Sequence, residues 1–138
     1  MTDLEQKLQN CLLDAVEAST LPPECYSNEK IFEIEKRAFF YNQWIPIGHV
    51  NHLKKPGDFF TKEVANVPII VIRDKKYDLR IFSNVCRHRG ARLLRGSGNV
   101  KGIVCPFHSW AYNLNGDLSG APEMKGAKDF CKEGFGLR

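Results

Sequence analysis

The residues of this chain best suited to chemistry are Cys86-x-His88 and, after sixteen intervening residues, Cys105-x-x-His108. Each pair offers a soft thiolate and an imidazole within a few positions. Two loops that carried such pairs and faced each other would bring four ligands to one centre. A set of two cysteines and two histidines suits a tetrahedral zinc ion, or a two-iron, two-sulfide core with both thiolates on one iron and both imidazoles on the other. Zinc fingers usually keep the two ligand types apart, with cysteines spaced from cysteines and histidines from histidines. Here each half mixes them, which favours the divided core. Two thiolates leave an oxidised core of that kind neutral, whereas four would leave it doubly negative. An added electron is therefore accepted more easily, and the potential should lie above that of an all-cysteine cluster. Each imidazole also keeps one ring nitrogen free to donate a hydrogen bond or to titrate.

Short β-type runs must hold these pairs. They are Trp44–Val50, Asp58–Val64, Val67–Arg73, Leu79–Asn84, Gly102–Val104 and Trp110–Leu114. Turn signals separate them at Pro56-Gly57-Asp58, Asp74-Lys75-Lys76 and Asn115-Gly116-Asp117. The expected fold is mainly β, a small antiparallel and sandwich-like domain over 44–138, preceded by a helical arm over 1–43. In the arm, Thr2 and Glu5 have the spacing of a capping box, and Leu4, Leu8, Cys11, Leu12 and Ala15 recur at helical intervals, so a helix is expected over 2–19. Leu21-Pro22-Pro23 ends it. Ser27 is the expected cap of a second helix through Phe40, with Ile31, Ile34, Ala38 and Phe39 turned inward. The chain closes on Gly134-Phe135-Gly136-Leu137-Arg138 with neither cap nor turn, as though cut.

Bulk properties exclude several classes. Hydrophobic residues at 43% and charged residues at 26% of the 138 are those of an ordered globular protein. The apolar stretch Val67–Ile72 is too short to cross a bilayer, and Met1-Thr2-Asp3-Leu4-Glu5 lacks the basic start of a secretory signal. The expected compartment is the cytoplasm, with neither membrane nor nucleic acid as partner. A net charge of +4 with no lysine-rich block agrees. Five cysteines, an odd count, rule out a complete disulfide framework.

The segments around the pairs read Asn84-Val85-Cys86-Arg87-His88-Arg89-Gly90-Ala91-Arg92-Leu93 and Val104-Cys105-Pro106-Phe107-His108-Ser109-Trp110-Ala111-Tyr112. They closely resemble the N-terminal Rieske [2Fe–2S] domain of the large (alpha) subunits of Rieske non-haem iron oxygenases, the aromatic-ring-hydroxylating dioxygenases and their monooxygenase relatives. The resemblance runs from about Leu21 to the C-terminus and covers Ile31-Phe32-x-x-Glu35, Trp44-x-x-x-Gly48-His49 and Pro56-Gly57-Asp58. It implies one [2Fe–2S] cluster on Cys86, His88, Cys105 and His108, with Arg89, Gly90 and Trp110 around it. It implies electrons arriving from a reductase or ferredoxin. It also implies a mononuclear Fe(II) downstream, in a catalytic domain of the same or a neighbouring subunit, within a homo-oligomer. That iron needs two further histidines and a carboxylate. With four histidines in all, and His49 and His52 ahead of the loops, the chain is not expected to hydroxylate anything alone. A free-standing Rieske ferredoxin and a zinc-stabilised interaction module are the competing readings. Many ring-hydroxylating members carry His-Gly-Trp where this chain has His108-Ser109-Trp110. With Leu21-Pro22-Pro23-Glu24-Cys25-Tyr26, that serine is similar to the branch acting on quaternary ammonium or alkylamine compounds.

Other residues have plainer readings. His49 and His52 are expected to be satisfied strand-end and turn residues, and Cys11, Cys25 and Cys131 to be inert thiols. Trp110 either packs on a ligand imidazole or is a core tryptophan. Arg87, Arg89, Arg92, Arg95 and Lys101 either steer an acidic electron donor or are solvated charges with local ion pairs.

Overall fold

A computed structural model describes residues 2–124 and 126–138. The chain forms two compact units, one ending at Ile45 and one spanning Pro46–Arg138.

The first unit is helical, but its helices are shorter than expected. Helix α1 is Asp3–Asn10, and Thr2 and Glu5 close its capping box in both directions. It stops eight residues after it starts, not at residue 19. No residue of α1 is buried, and Leu12 and Ala15, meant to continue its stripe, are exposed. An apolar stripe without a partner supplies no packing energy to carry a helix through poor formers such as Asn10 and Cys11. The chain turns back instead, and Ser19 donates its N–H to the Asn10 carbonyl. A short turn α2, Glu24–Ser27, precedes α3, Glu29–Glu35. The cap of α3 is Asn28, whose side chain accepts from the Lys30 N–H; the Ser27 hydroxyl donates to the Pro23 carbonyl. The helix continues as a π-helical turn, Lys36–Phe40. Ile34, Ala38 and Phe39 are exposed here, contrary to expectation, while Lys36 is buried. Its ammonium pairs with Glu33 and lies 5.1 Å over the Phe32 ring.

The second unit is built from antiparallel sheets. Strands β1 (Asp58–Val64) and β2 (Val67–Arg73) have the expected bounds, and β3 is Leu79–Ser83. The β1–β2 hairpin pairs Val64 with Val67 across Ala65-Asn66, both at positive φ, a two-residue turn whose twist matches the strands. Gly57 is required in the turn before β1: its φ is +87, and a Cβ there would meet the Val100 carbonyl oxygen at 2.1 Å. Strand β4, Ser97–Asn99, completes the sheet in the order β3-β2-β1-β4. It carries no apolar pattern; Gly98 lies opposite Phe59 and leaves room for its ring. A smaller sheet follows, β5 (Ile103–Val104), β6 (Ala111–Tyr112) and β7 (Leu118–Gly120) in that order. Trp44–Val50 is not a strand. Pro46 lacks a ladder donor, and His49 Nδ1 accepts from the Asn51 N–H to begin a single 3₁₀ turn, Val50–His52.

Residues of both sheets share one core. Phe59, Ile70, Ile72 and Phe82 come from the larger sheet, Ile103, Tyr112 and Leu118 from the smaller. Cys86 and Cys105 lie in that same core, 3% and 2% exposed. The loops that carry them are therefore anchored by burial at their first residue.

Candidate metal centre

Both loops use one backbone device. In the first, the Cys86 N–H donates to the Ala91 carbonyl at 2.8 Å, and the Cys86 carbonyl accepts from the Gly90 N–H at 3.0 Å. In the second, the Cys105 N–H donates to the Trp110 carbonyl at 2.8 Å, and the Cys105 carbonyl accepts from the Ser109 N–H at 3.0 Å. The offsets are identical. The fifth residue of each loop takes a left-handed backbone, Gly90 at φ 72 and Ser109 at φ 58. A left-handed backbone disfavours a side chain, so glycine is the easier residue at this position and Ser109 carries a conformational cost that Gly90 does not.

The loops bring the two sequence-selected imidazoles into contact, and the two cysteines that begin the loops share the core. The His88 and His108 rings lie edge to face with centroids 4.8 Å apart. The Nδ1 atoms of both are buried without a hydrogen-bond partner among the described residues. Two buried ring nitrogens left open on adjacent rings, with a buried sulfur at the start of each of the same loops, are a donor set whose chemistry fits a metal group. Burial, then His108 and Arg89, hold His88 below the usual imidazole range, which favours the neutral ring a metal requires. Among the described residues no three His, Cys, Asp or Glu converge as one ion would need.

Residues beyond the expected set complete the site. Asn84 is fully buried at the end of β3. Its Oδ1 accepts from the Leu93 and Leu94 N–H groups at 3.1 and 2.9 Å, and its Nδ2 donates to the Leu94 carbonyl at 2.8 Å, closing the base of the first loop. Tyr112, on β6, reaches across to the other loop: its hydroxyl lies 3.2 Å from Cys86 Sγ and accepts from the Arg87 N–H at 3.0 Å. Burial, with Cys86 beside it, holds this phenol well above its usual range, so it stays protonated. Trp110 is buried and stacks on His88, centroids 4.7 Å apart and planes within 9°. Arg89 and Gly90 are exposed at the rim. Of the surrounding cations, Arg92 pairs with Glu63 at 3.3 Å, while Arg87, Arg95 and Lys101 are exposed. His49 and His52 lie 6.5 Å from each other, with His52 against Phe60. All five cysteines are free thiols.

The family profile of the Rieske [2Fe-2S] domain matches residues 43–131, which contain both loops. The chain belongs to the Rieske [2Fe-2S] domain family. The Rieske assignment makes a [2Fe–2S] cluster its cofactor. Relatives include the carnitine monooxygenase oxygenase subunit of Acinetobacter baumannii, 41% identical over 84% of this chain and 32% of the relative. Another is the benzene 1,2-dioxygenase alpha subunit of Pseudomonas putida, 37% identical over 77% of this chain and 24% of the relative. Among solved structures, the apo form of the quaternary ammonium Rieske monooxygenase CntA superposes with a TM-score of 0.79 at 39% identity, covering 86% of this chain and 35% of that one. Naphthalene 1,2-dioxygenase from Rhodococcus sp. gives 0.83 at 30% identity, covering 100% of this chain and 32% of that one. The chain thus spans about a quarter to a third of the length of the relatives it matches. No helix among the described residues is long and apolar enough to cross a membrane.

Proposed function

We propose that this chain is the electron-transfer domain of an oxygenase large subunit. It takes single electrons from a reductase or ferredoxin and delivers them to a mononuclear Fe(II) held by a catalytic domain of the same or a neighbouring subunit in a homo-oligomer. A cytoplasmic setting suits such a donor. The observation that carries this reading is the pair of buried Nδ1 atoms, partnerless among the described residues, on two loops that each begin at a buried cysteine. Cys86 and Cys105 would hold one iron and His88 and His108 the other, through Nδ1. A bound [2Fe–2S] cluster supplies one-electron redox chemistry. The chain's own contribution is to bury the thiolates, hold the His88 imidazole neutral and keep water from the sulfurs. Carnitine and quaternary ammonium names among the relatives, together with Ser109, favour a quaternary ammonium substrate class for the whole enzyme. Anaerobically prepared protein should contain equal iron and acid-labile sulfide, and give the paramagnetic signature of mixed thiolate and imidazole ligation once reduced. Colourless protein holding zinc alone would refute the reading.

On the same reading the Tyr112 hydroxyl, its oxygen already accepting from Arg87, donates to the Cys86 thiolate. A hydrogen bond to sulfur stabilises the more negative, reduced state. Tyr112→Phe should therefore lower the reduction potential by on the order of 50 mV, measured by redox titration. An unchanged potential would mean that the hydroxyl does not donate to a ligand sulfur.

The exposed Arg87 and Arg89, which flank His88 on the first loop, give that loop a positive field suited to an acidic donor. Reduction by an acidic ferredoxin should slow by about tenfold between low salt and ~1 M, where the Debye length shrinks to ~3 Å. A rate independent of salt would remove steering from the account.

A further inference from the structure

His88 forms no side-chain hydrogen bond with the described residues, so contacts other than hydrogen bonds must set its ring plane. On one side it meets His108, edge to face. On the other it stacks in parallel on Trp110. Trp110 is itself clamped. Phe130 and Phe135 meet it edge-on, with centroids 5.7 and 5.5 Å away at 61° and 84°. The two phenyl rings also contact each other, at 5.1 Å.

Both phenylalanines sit on the C-terminal segment, which is tied to the sheets by its backbone. The Leu137 N–H donates to the Gly116 carbonyl at 2.8 Å, and the Arg138 carbonyl accepts from the Ser83 N–H at 2.6 Å. Between these rings the segment turns through Lys132–Phe135, and the Lys132 ammonium donates to the Ser119 carbonyl at 3.3 Å. Leu137 packs on the same core but carries no aromatic ring. Phe135 lies outside the matched family profile, which ends at residue 131.

We propose that Phe130 and Phe135 are positioning residues: by clamping Trp110 they fix the plane of the His88 imidazole, so that residues 130–137 act as an aromatic strap on one ligand of the cluster. The proposal rests on the ligand set above. Ring orientation decides how the imidazole lone pair meets its iron, and edge-to-face aromatic pairs hold orientation as well as area. A strap that loosens should therefore alter one histidine's coupling to the metal and leave the other's unchanged.

The test is pulsed paramagnetic resonance on the reduced holoprotein, which resolves the two histidine nitrogen couplings. Phe135→Ala should shift one coupling and leave the second in place. Phe135→Tyr, which keeps the ring, should restore the native spectrum. Leu137→Ala, which trims the same strap but removes no aromatic ring, should lower thermal stability and leave both couplings unchanged. Should Phe135→Ala fail to fold, Phe135→Leu keeps the volume without the ring and is read in the same way. Unchanged couplings in the ring-less variant, or an equal shift in Leu137→Ala, would overturn the strap. Absence of any Rieske signature in the native protein would instead refute the ligand assignment, so the two failures are distinguishable.

Discussion

Replacing His108 by alanine is expected to abolish the Rieske signature while leaving the fold in place. His108 is half-buried at the tip of its loop, and the hydrogen bonds that shape the loop run through the backbone of Cys105, Ser109 and Trp110. Alanine keeps every one of them. What it removes is one of the two partnerless Nδ1 atoms, and with it half the ligation of one iron. A metal site with an open position in place of a fixed imidazole loses affinity by at least about 10–100-fold, the range found even for outer partners of a ligand. The measurement is iron content and the resonance spectrum of the reduced protein, beside far-ultraviolet dichroism as a check on the fold. His52→Ala is the control: that ring lies against Phe60, away from the loops, and its loss should leave the spectrum native. A native spectrum in His108→Ala would show that this residue is not a ligand.

The same two loops show how far the sequence carries. Mixed Cys/His pairs are legible because the chemistry needs those atoms at short spacing, whatever surrounds them. Strands β1 and β2 are legible because their apolar content and punctuation are local. Asn84 and Tyr112 are not, because their partners lie ten residues off at Leu94 and on the opposite loop at Cys86. A buried asparagine at a strand end and a strand tyrosine carry no local mark of such roles. Nor was the early end of α1 legible. Its capping box is a local signal, and the structure keeps it; the exposure of Leu12 and Ala15 is a tertiary fact. Strand β4 has no pattern to read, since Ser97, Gly98 and Asn99 owe their pairing to Phe59 and its neighbours. Where the physics is local the reading holds, and where it depends on a distant neighbour it fails.

Asn84 also carries the largest stability effect expected outside the ligands. Its side chain joins the end of β3 to Leu93 and Leu94, the residues that follow the first loop. Asn84→Ala leaves the Leu94 N–H and carbonyl without their partner, and reduces the Leu93 N–H to a 3.4 Å contact with the Asn84 carbonyl oxygen. Each orphaned buried group costs about 1–3 kcal/mol. Leu94 is half-buried, so water recovers part of that, and a net loss of about 3 kcal/mol is expected. For a domain of this size the melting temperature should fall by roughly 10 °C, read by thermal or denaturant unfolding. Because the Val85–Arg92 bridge and the Cys86–Ala91 hydrogen bond sit just above this base, iron retention at elevated temperature should fall in parallel. A loss under about 0.5 kcal/mol, the level of an ordinary surface substitution, would show that Asn84 does not hold the loop closed. The ligand-bearing turn would then owe its shape to the backbone hydrogen bonds of Cys86 alone.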